Sequence, residues 1–269
     1  MTAEEPRFLE LGDAASGHSR RIAVIAEPAV RPDGRPGLVW LPGFKSDMAS
    51  TKASVIADWA RAEGLAMTRL DYSGHGRSSG RIEDMTIGDW AAEARTVIEQ
   101  LAEGPQVLIG SSMGGWIALV LARALAGTGR IAGLVLIAPA WDMTERLMWQ
   151  EMGEAERRDV MERGVWMRPS AYGDEGYPIT RRLIEEGRSH LIAGRPFDPA
   201  CPVRIIQGMA DPDVPWQGSI ELTGLLEAPD IRLTLVKDGE HRLSRPADLD
   251  LLIRTIAETL GAAGAAGPI

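Results

Sequence analysis

Apolar positions along the chain follow two periods. Short runs in which most residues are apolar or β-branched recur from residue 38: "LVWLP" (38–42), "LAMTRLDY" (65–72), "QVLIG" (106–110), "IAGLVLIAP" (131–139), "VRIIQG" (203–208) and "IRLTLV" (231–236). Runs of this kind predict strands buried on both faces, as in a parallel sheet. Ahead of them, "RFLEL" and "RRIAVIAEP" read as two strands joined by a Gly/Ser turn, an antiparallel hairpin at a sheet edge. Between the runs the period lengthens to that of helices. "STKASVIADWARAEG" stops at Gly64, "TIGDWAAEARTVIEQLAEG" opens on a Thr86 cap and stops at Gly104, "MGGWIALVLARALAG" starts at Met113, and "ADLDLLIRTIAETL" lies near the end. Alternation of strand and helix predicts an α/β fold built on a doubly wound, mostly parallel sheet.

One span breaks that rhythm. From 141 to 199 no core strand is evident: "TERLMWQEMGEAERRDVMERG" and "ITRRLIEEGRSHLIAG" look helical, and "MRPSAYGDEGYP" looks like loop. A structureless stretch of that length does not suit a compact domain. The expectation is a core domain of residues 1–140 and 200–269 with a helical cap, 141–199, inserted into it. The closing "GAAGAAGPI" reads as a flexible tail.

The chemistry is suggested by "VLIGSSMGGW" (107–116). Gly110-Ser111-Ser112-Met113-Gly114 fits G-x-S-x-G with Ser112 at its centre, between a predicted strand and a predicted helix. The pattern alone recurs by chance; the strand–turn–helix setting raises it above that. A turn so tight needs minimal side chains on either side, and it lifts the serine hydroxyl to a helix N-terminus, where developing negative charge is favoured. Ser111 is one residue early and is read as supporting structure.

A nucleophilic serine needs a base, and the base an acid to orient it. His18 lies in the N-terminal turn and His190 in the cap, while His75 sits in the glycine-rich "DYSGHGRSSG", read as a backbone device. His241, in the loop after the last strand, is preferred as the base. For the acid, "QGMADPDVPW" offers Asp211, first after its strand and aimed by Pro212, and Asp213; Asp142, after the strand at 131–139, is a third choice. Asp211 is preferred. The amides of Phe44, behind Gly43, and of Met113 are candidate donors for an oxyanion hole.

Composition narrows the function. A net charge of −9 argues against general affinity for nucleic acid. The chain's one cysteine, Cys201, excludes an internal disulfide and a multi-cysteine zinc site. No run nears the roughly 18 apolar residues of a membrane span. No signal peptide is evident at the N-terminus, so the expected address is cytoplasmic.

In order, "LPGF", "DYSGHGRSSG", "GSSMGG", "GMADPDVP" and "GEH" resemble the α/β-hydrolase superfamily over almost the whole chain. "LPGFKSDMASTKA" together with the second and third of these is similar to its palmitoyl-protein thioesterase and acyl-glucuronide esterase group. Pro42-Gly43 stands where the wider superfamily more often has His-Gly. The resemblance implies a serine hydrolase acting on a small-molecule ester or thioester, or on an acylated protein. No metal or organic cofactor is called for, and a monomer is expected. In the cap, Trp141, Met148, Trp149 and Trp166 are candidates for an apolar acyl pocket, and Arg168, Arg181 and Arg182 for contact with a substrate carboxylate. Two other functions stay open: a non-catalytic binding protein on this fold, and an acyltransferase using the same acyl-enzyme.

Overall fold

The computed structural model describes residues 5–12, 19–30, 33–169 and 176–265. The strands run β1 (Arg7–Gly12), β2 (Ser19–Glu27), β3 (Gly37–Leu41), β4 (Met67–Leu70), β5 (Gln106–Ser111), β6 (Ile131–Ile137), β7 (Val165–Arg168), β8 (Tyr177–Thr180), β9 (Val203–Gly208) and β10 (Ile231–Val236). Eight of them form one sheet in the order β1-β2-β4-β3-β5-β6-β9-β10. The β1–β2 and β2–β4 pairs are antiparallel, and every later pair in the sheet is parallel. The helices are α1 (Thr51–Glu63), α2 (Ile87–Leu101), α3 (Met113–Ala124), α4 (Glu154–Arg158), α5 (Arg181–Gly187), α6 (Trp216–Leu225) and α7 (Pro246–Ala265).

The period of two along the strands sorts the core. Leu38, Trp40, Val107, Ile109, Val135 and Ile137 face one side and pack with α1 and α7 through Ile56, Ala60, Leu252 and Ile256. Val39, Leu41, Leu108, Leu134 and Leu136 face the other side, with Trp90 of α2 and Trp116 of α3. Trp40, Trp90 and Trp116 are at most 1% exposed. At about 25 cal/mol per Å² each contributes on the order of 5 kcal/mol, an upper bound because the unfolded chain already hides some surface. The cap on α2 is reciprocal: Thr86 Oγ1 accepts from the Asp89 amide and Asp89 Oδ2 from the Thr86 amide.

Three details differ from the sequence expectation. β10 exposes Arg232 and Thr234, since an edge strand packs fully on one face only. Part of "MRPSAYGDEGYP" is not loop: Met167 and Arg168 belong to β7, Tyr177 and Pro178 to β8, and the two strands pair antiparallel, while 170–175 lie outside the described residues. α7 continues through Ala265, so the start of "GAAGAAGPI" is helical. His18 also falls outside the described residues.

The segment between β6 and β9 holds helical turns at Thr144–Trp149, Asp159–Arg163 and Arg188–His190, with α4, the β7–β8 ribbon and α5. It is fastened to the sheet layer by polar contacts. Glu186 of α5 accepts from the Gly88 amide at 3.1 Å, Trp116 Nε1 donates to the His190 carbonyl, and Arg123 to that of Leu191. Among the described residues no helix is long and apolar enough to cross a membrane. Strand order reverses around β3, which lies between β4 and β5, so a crevice opens at the C-terminal ends of β3 and β5.

Candidate active site

Residues from distant parts of the chain meet in that crevice. Ser112 joins β5 to α3 with φ 54° and ψ −119°, a conformation that side chains with a β-carbon adopt at a cost of about 1–3 kcal/mol. The turn is pinned by its own backbone, the Ser112 amide donating to Ile137 at 2.9 Å and the Ala140 amide to the Ser112 carbonyl at 3.1 Å. It also needs its glycines. A β-carbon on Gly110 would strike the carbonyl of Gly114, and one on Gly114 the carbonyl of Leu41. Met113 is the first residue of α3, so its amide has no acceptor within the helix.

Phe44 follows β3 and borders the same cavity as Ser112. A β-carbon on Gly43 would lie 3.3 Å from Ser112 Cβ, tighter than an ordinary contact, so the lack of a side chain at residue 43 lets the backbone of this loop sit close to the serine without displacement. The loop is held from below by Asp71, whose carboxylate accepts from the Met48 amide at 2.7 Å and from the Arg77 amide at 2.8 Å.

His241 lies in the turn after β10, and its Nδ1 is 2.8 Å from Asp211 Oδ2. The Asp211 side chain is fully buried. Its Oδ1 accepts from the amides of Asp213 and Val214, and Gln207 Nε2 donates to Oδ2 at 3.2 Å. Burial disfavours charge on Asp211, but the His241 bond and the two amides outweigh it and hold the carboxyl below the usual value. Asp211, Asp213 and His241 come within 4.8 Å of one another, a closeness that the Asp211–His241 bond and the turn behind it account for.

The cavity has a volume of about 1120 Å³, and Ser112 and His241 both border it. Met143, Leu147, Met148 and Ile179 supply an apolar wall, and Lys45, Lys52, Arg168 and Arg242 supply cations. Of the four cap residues expected to line a pocket, Met148 does. Trp141 is not among the lining residues: it is buried, stacks with Arg146 at 4.0 Å and donates to the Gly218 carbonyl. Trp149 is covered by Arg157 and Arg188, each 5.3 Å from its ring, and Trp166 packs half-buried against the core. Of the three arginines, Arg168 reaches the cavity, whereas Arg181 pairs with Glu185 and Arg182 with Asp89. The sequence reading did not single out Leu147, Ile179 or Lys52. Lys52 alone carried a signal, a cation in the first turn of a helix, where the dipole disfavours it.

The other candidates have different employment. Asp142 accepts from the amides of Ile192 and Ala193 at 2.7 and 2.8 Å, tying the start of the segment between β6 and β9 to a later part of it. Burial raises its carboxyl above the usual value against the pull of those amides. Asp142→Asn puts a donor against one of these N–H groups, so it is expected to lower stability by about 1–3 kcal/mol in urea unfolding while kcat stays within about threefold. His190 is bonded to Glu186.

His75 is buried among Phe44, Tyr72 and Trp90, with Nδ1 3.1 Å from the Ser73 carbonyl. Burial drives its pKa down to about 4. Below pH 6.5 the unfolded chain takes a proton on this residue that the folded chain refuses, so stability falls as pH drops from 6.5 to about 4 and the loss then levels off. The expected loss is up to about 3 kcal/mol. Urea unfolding at pH 7.5 and 4.5 should show it in the wild type and a much smaller change in His75→Phe.

Comparison with known proteins agrees with this architecture. A family model described as serine aminopeptidase, S33 (Hydrolase_4) matches residues 35–169. The protein named palmitoyl-protein thioesterase ABHD10, mitochondrial, of Bos taurus is 34% identical, across 96% of this chain and 85% of its own length. The solved structure of alpha/beta hydrolase domain-containing protein 10 from mouse superposes with a TM-score of 0.81 at 32% identity, covering 94% of this chain and 97% of that one. A structure from Agrobacterium vitis S4 superposes with a TM-score of 0.90 at 41% identity, covering 95% and 98%.

Proposed function

The chain belongs to the Hydrolase_4 family of α/β hydrolases, with the ABHD10 palmitoyl-protein thioesterases among its relatives, and from that we propose a serine acyl hydrolase in which Ser112, His241 and Asp211 form the catalytic triad. The observation that carries the reading is the bond between His241 and buried Asp211 beside a cavity that Ser112 also borders.

Asp211 accepts the Nδ1 proton of His241 and leaves Nε2 as the basic nitrogen. Nε2 takes the Ser112 proton as Oγ attacks the acyl carbonyl, and Asp211 stabilises the imidazolium that results. The amides of Phe44 and Met113 receive the oxyanion, each expected to contribute about 3–4 kcal/mol to the barrier reduction. The proton passes from Nε2 to the leaving alcohol or thiol. A water deprotonated by the same nitrogen then frees the acid and regenerates Ser112.

The substrate is an apolar acyl ester or thioester. Met143 and Met148 give the acyl chain flexible, unbranched side chains to lie against, and Leu147 and Ile179 add branched apolar surface. Residues 141–199 act as the cap that supplies most of this wall. The reading includes action as a monomer in the cytoplasm, checked by gel filtration and cell fractionation; the mammalian relatives are named as mitochondrial.

The test is hydrolysis of p-nitrophenyl esters and matched acyl thioesters over a chain-length series. From acetyl to octanoyl, kcat/KM should rise at least about tenfold as methylenes enter the apolar wall. A profile that peaks at acetyl would overturn the apolar substrate, and no turnover on any member would return the chain to a binding role.

A further inference from the structure

Lys52 occupies a place that is unfavourable for a lysine on three counts. It is the second residue of α1, at the positive end of the helix dipole, and the first turn of α1 holds no acidic residue. It is 9% exposed, so its ammonium has lost most of its water. That burial, with Arg242 adding to it and Asp248 opposing, brings its pKa down to about 8. An aliphatic side chain would fill the same space without these penalties.

What the lysine provides is a bond across the molecule. Its Nζ donates to the main-chain carbonyl of Arg242, the residue directly after His241 and 190 positions away in sequence. The remainder of the turn is held locally. Arg245 bridges Asp238 and Asp248, Ser244 Oγ donates to the Arg242 carbonyl at 2.9 Å, and the Leu243 amide donates to Glu240. Leu243 itself sits at φ 43°, buried beneath the turn. From the β9 side, Asp211 grips the imidazole and the Ala210 amide donates to Gly239. From the α1 side the grip is Lys52. The histidine is thus flanked by two tethers, one on its ring and one on the next peptide.

We propose that Lys52 is a positioning residue, which holds the Arg242 carbonyl and thereby fixes the turn that presents His241 to Ser112. This rests on the triad reading above, with His241 as the base. Without the ammonium the turn keeps its local bonds and its Asp211 contact but gains freedom on the α1 side, so the imidazole spends less time in line with Oγ. The loss falls on the acyl-transfer step and leaves the apolar wall untouched.

The experiment compares wild type, Lys52→Met, Lys52→Cys, Lys52→Cys alkylated with 2-bromoethylamine, and Ser112→Ala, on the preferred p-nitrophenyl ester. Alkylation rebuilds a side chain with an amine at nearly the reach of lysine. It is selective because position 52 borders the open cavity at a helix N-terminus, whereas the native Cys201 does not line the cavity and its buried thiol is pushed up to about 12. Lys52→Met is expected to lower kcat about 10- to 100-fold with KM within about twofold, as small misplacements of a catalytic group do. The alkylated enzyme should recover kcat to within about fivefold of wild type, a rescue that also answers the case in which Lys52→Met folds poorly. An unchanged kcat in Lys52→Met, a loss confined to KM, or a failure of alkylation to restore kcat would overturn the role. These outcomes are separate from failure of the triad: if Ser112→Ala retains turnover, the triad falls and the role of Lys52 with it.

Discussion

Asp211→Asn is expected to lower kcat about 10⁴-fold while KM changes little. The direction in which the new amide must lie follows from its neighbours. Asp211 Oδ1 accepts from two backbone amides, those of Asp213 and Val214, so the asparagine carbonyl takes that place. Its NH₂ then occupies the Oδ2 position, opposite His241 Nδ1. A donor there requires Nδ1 to accept, which moves the ring proton to Nε2, the nitrogen that must take the proton of Ser112. The same NH₂ faces Gln207 Nε2, a second donor, so some stability should be lost as well. Steady-state kinetics and urea unfolding of the one variant check both effects. A loss of kcat below about tenfold would point to another acid.

Removing the hydroxyl of Ser112 should have a larger effect. Ser112→Ala and Ser112→Gly are each expected to lower kcat roughly 10⁵- to 10⁶-fold, with residual rate supplied by the oxyanion donors and substrate binding. The two variants should differ in stability, in an unusual order. Serine and alanine both hold a β-carbon at φ 54°, at a cost of about 1–3 kcal/mol that glycine avoids. Glycine gives back about 0.5–1 kcal/mol through the greater freedom of its unfolded chain. Ser112→Gly is therefore expected to be more stable than Ser112→Ala by about 1 kcal/mol in urea unfolding. The reverse order would mean that the elbow stores no strain.

Much of this was readable in the sequence because it is local. Apolar runs between glycines and prolines mark the strands, since a strand covered by helices on both faces can tolerate few polar side chains. Gly110 and Gly114 mark the elbow because their backbones must approach other carbonyls too closely for a β-carbon. Asp211 before Pro212, and His241 after the last strand, sit where a parallel sheet delivers its loops to one end.

The pocket was less readable because its lining is decided by partners far away in sequence. Trp141 looks like a pocket residue until Arg146 and the Gly218 carbonyl claim its face and its N–H. Trp149 is likewise taken by two arginines. β7 and β8 are four residues each, too short for a period of two to stand out, although Ile179 on β8 reaches the cavity. Lys52 resembles any helix lysine until the turn of His241 is laid against it.

The central claim, a Ser112 acyl-enzyme formed beside the His241–Asp211 pair, is tested most directly by trapping it. The enzyme would be mixed with p-nitrophenyl octanoate, quenched in acid during turnover, digested, and its peptides analysed by mass spectrometry. The expected result is one octanoyl group on the peptide containing Ser112, absent from Ser112→Ala, which releases p-nitrophenol only at the background rate. An octanoyl group on another residue, or full turnover by Ser112→Ala, would contradict it.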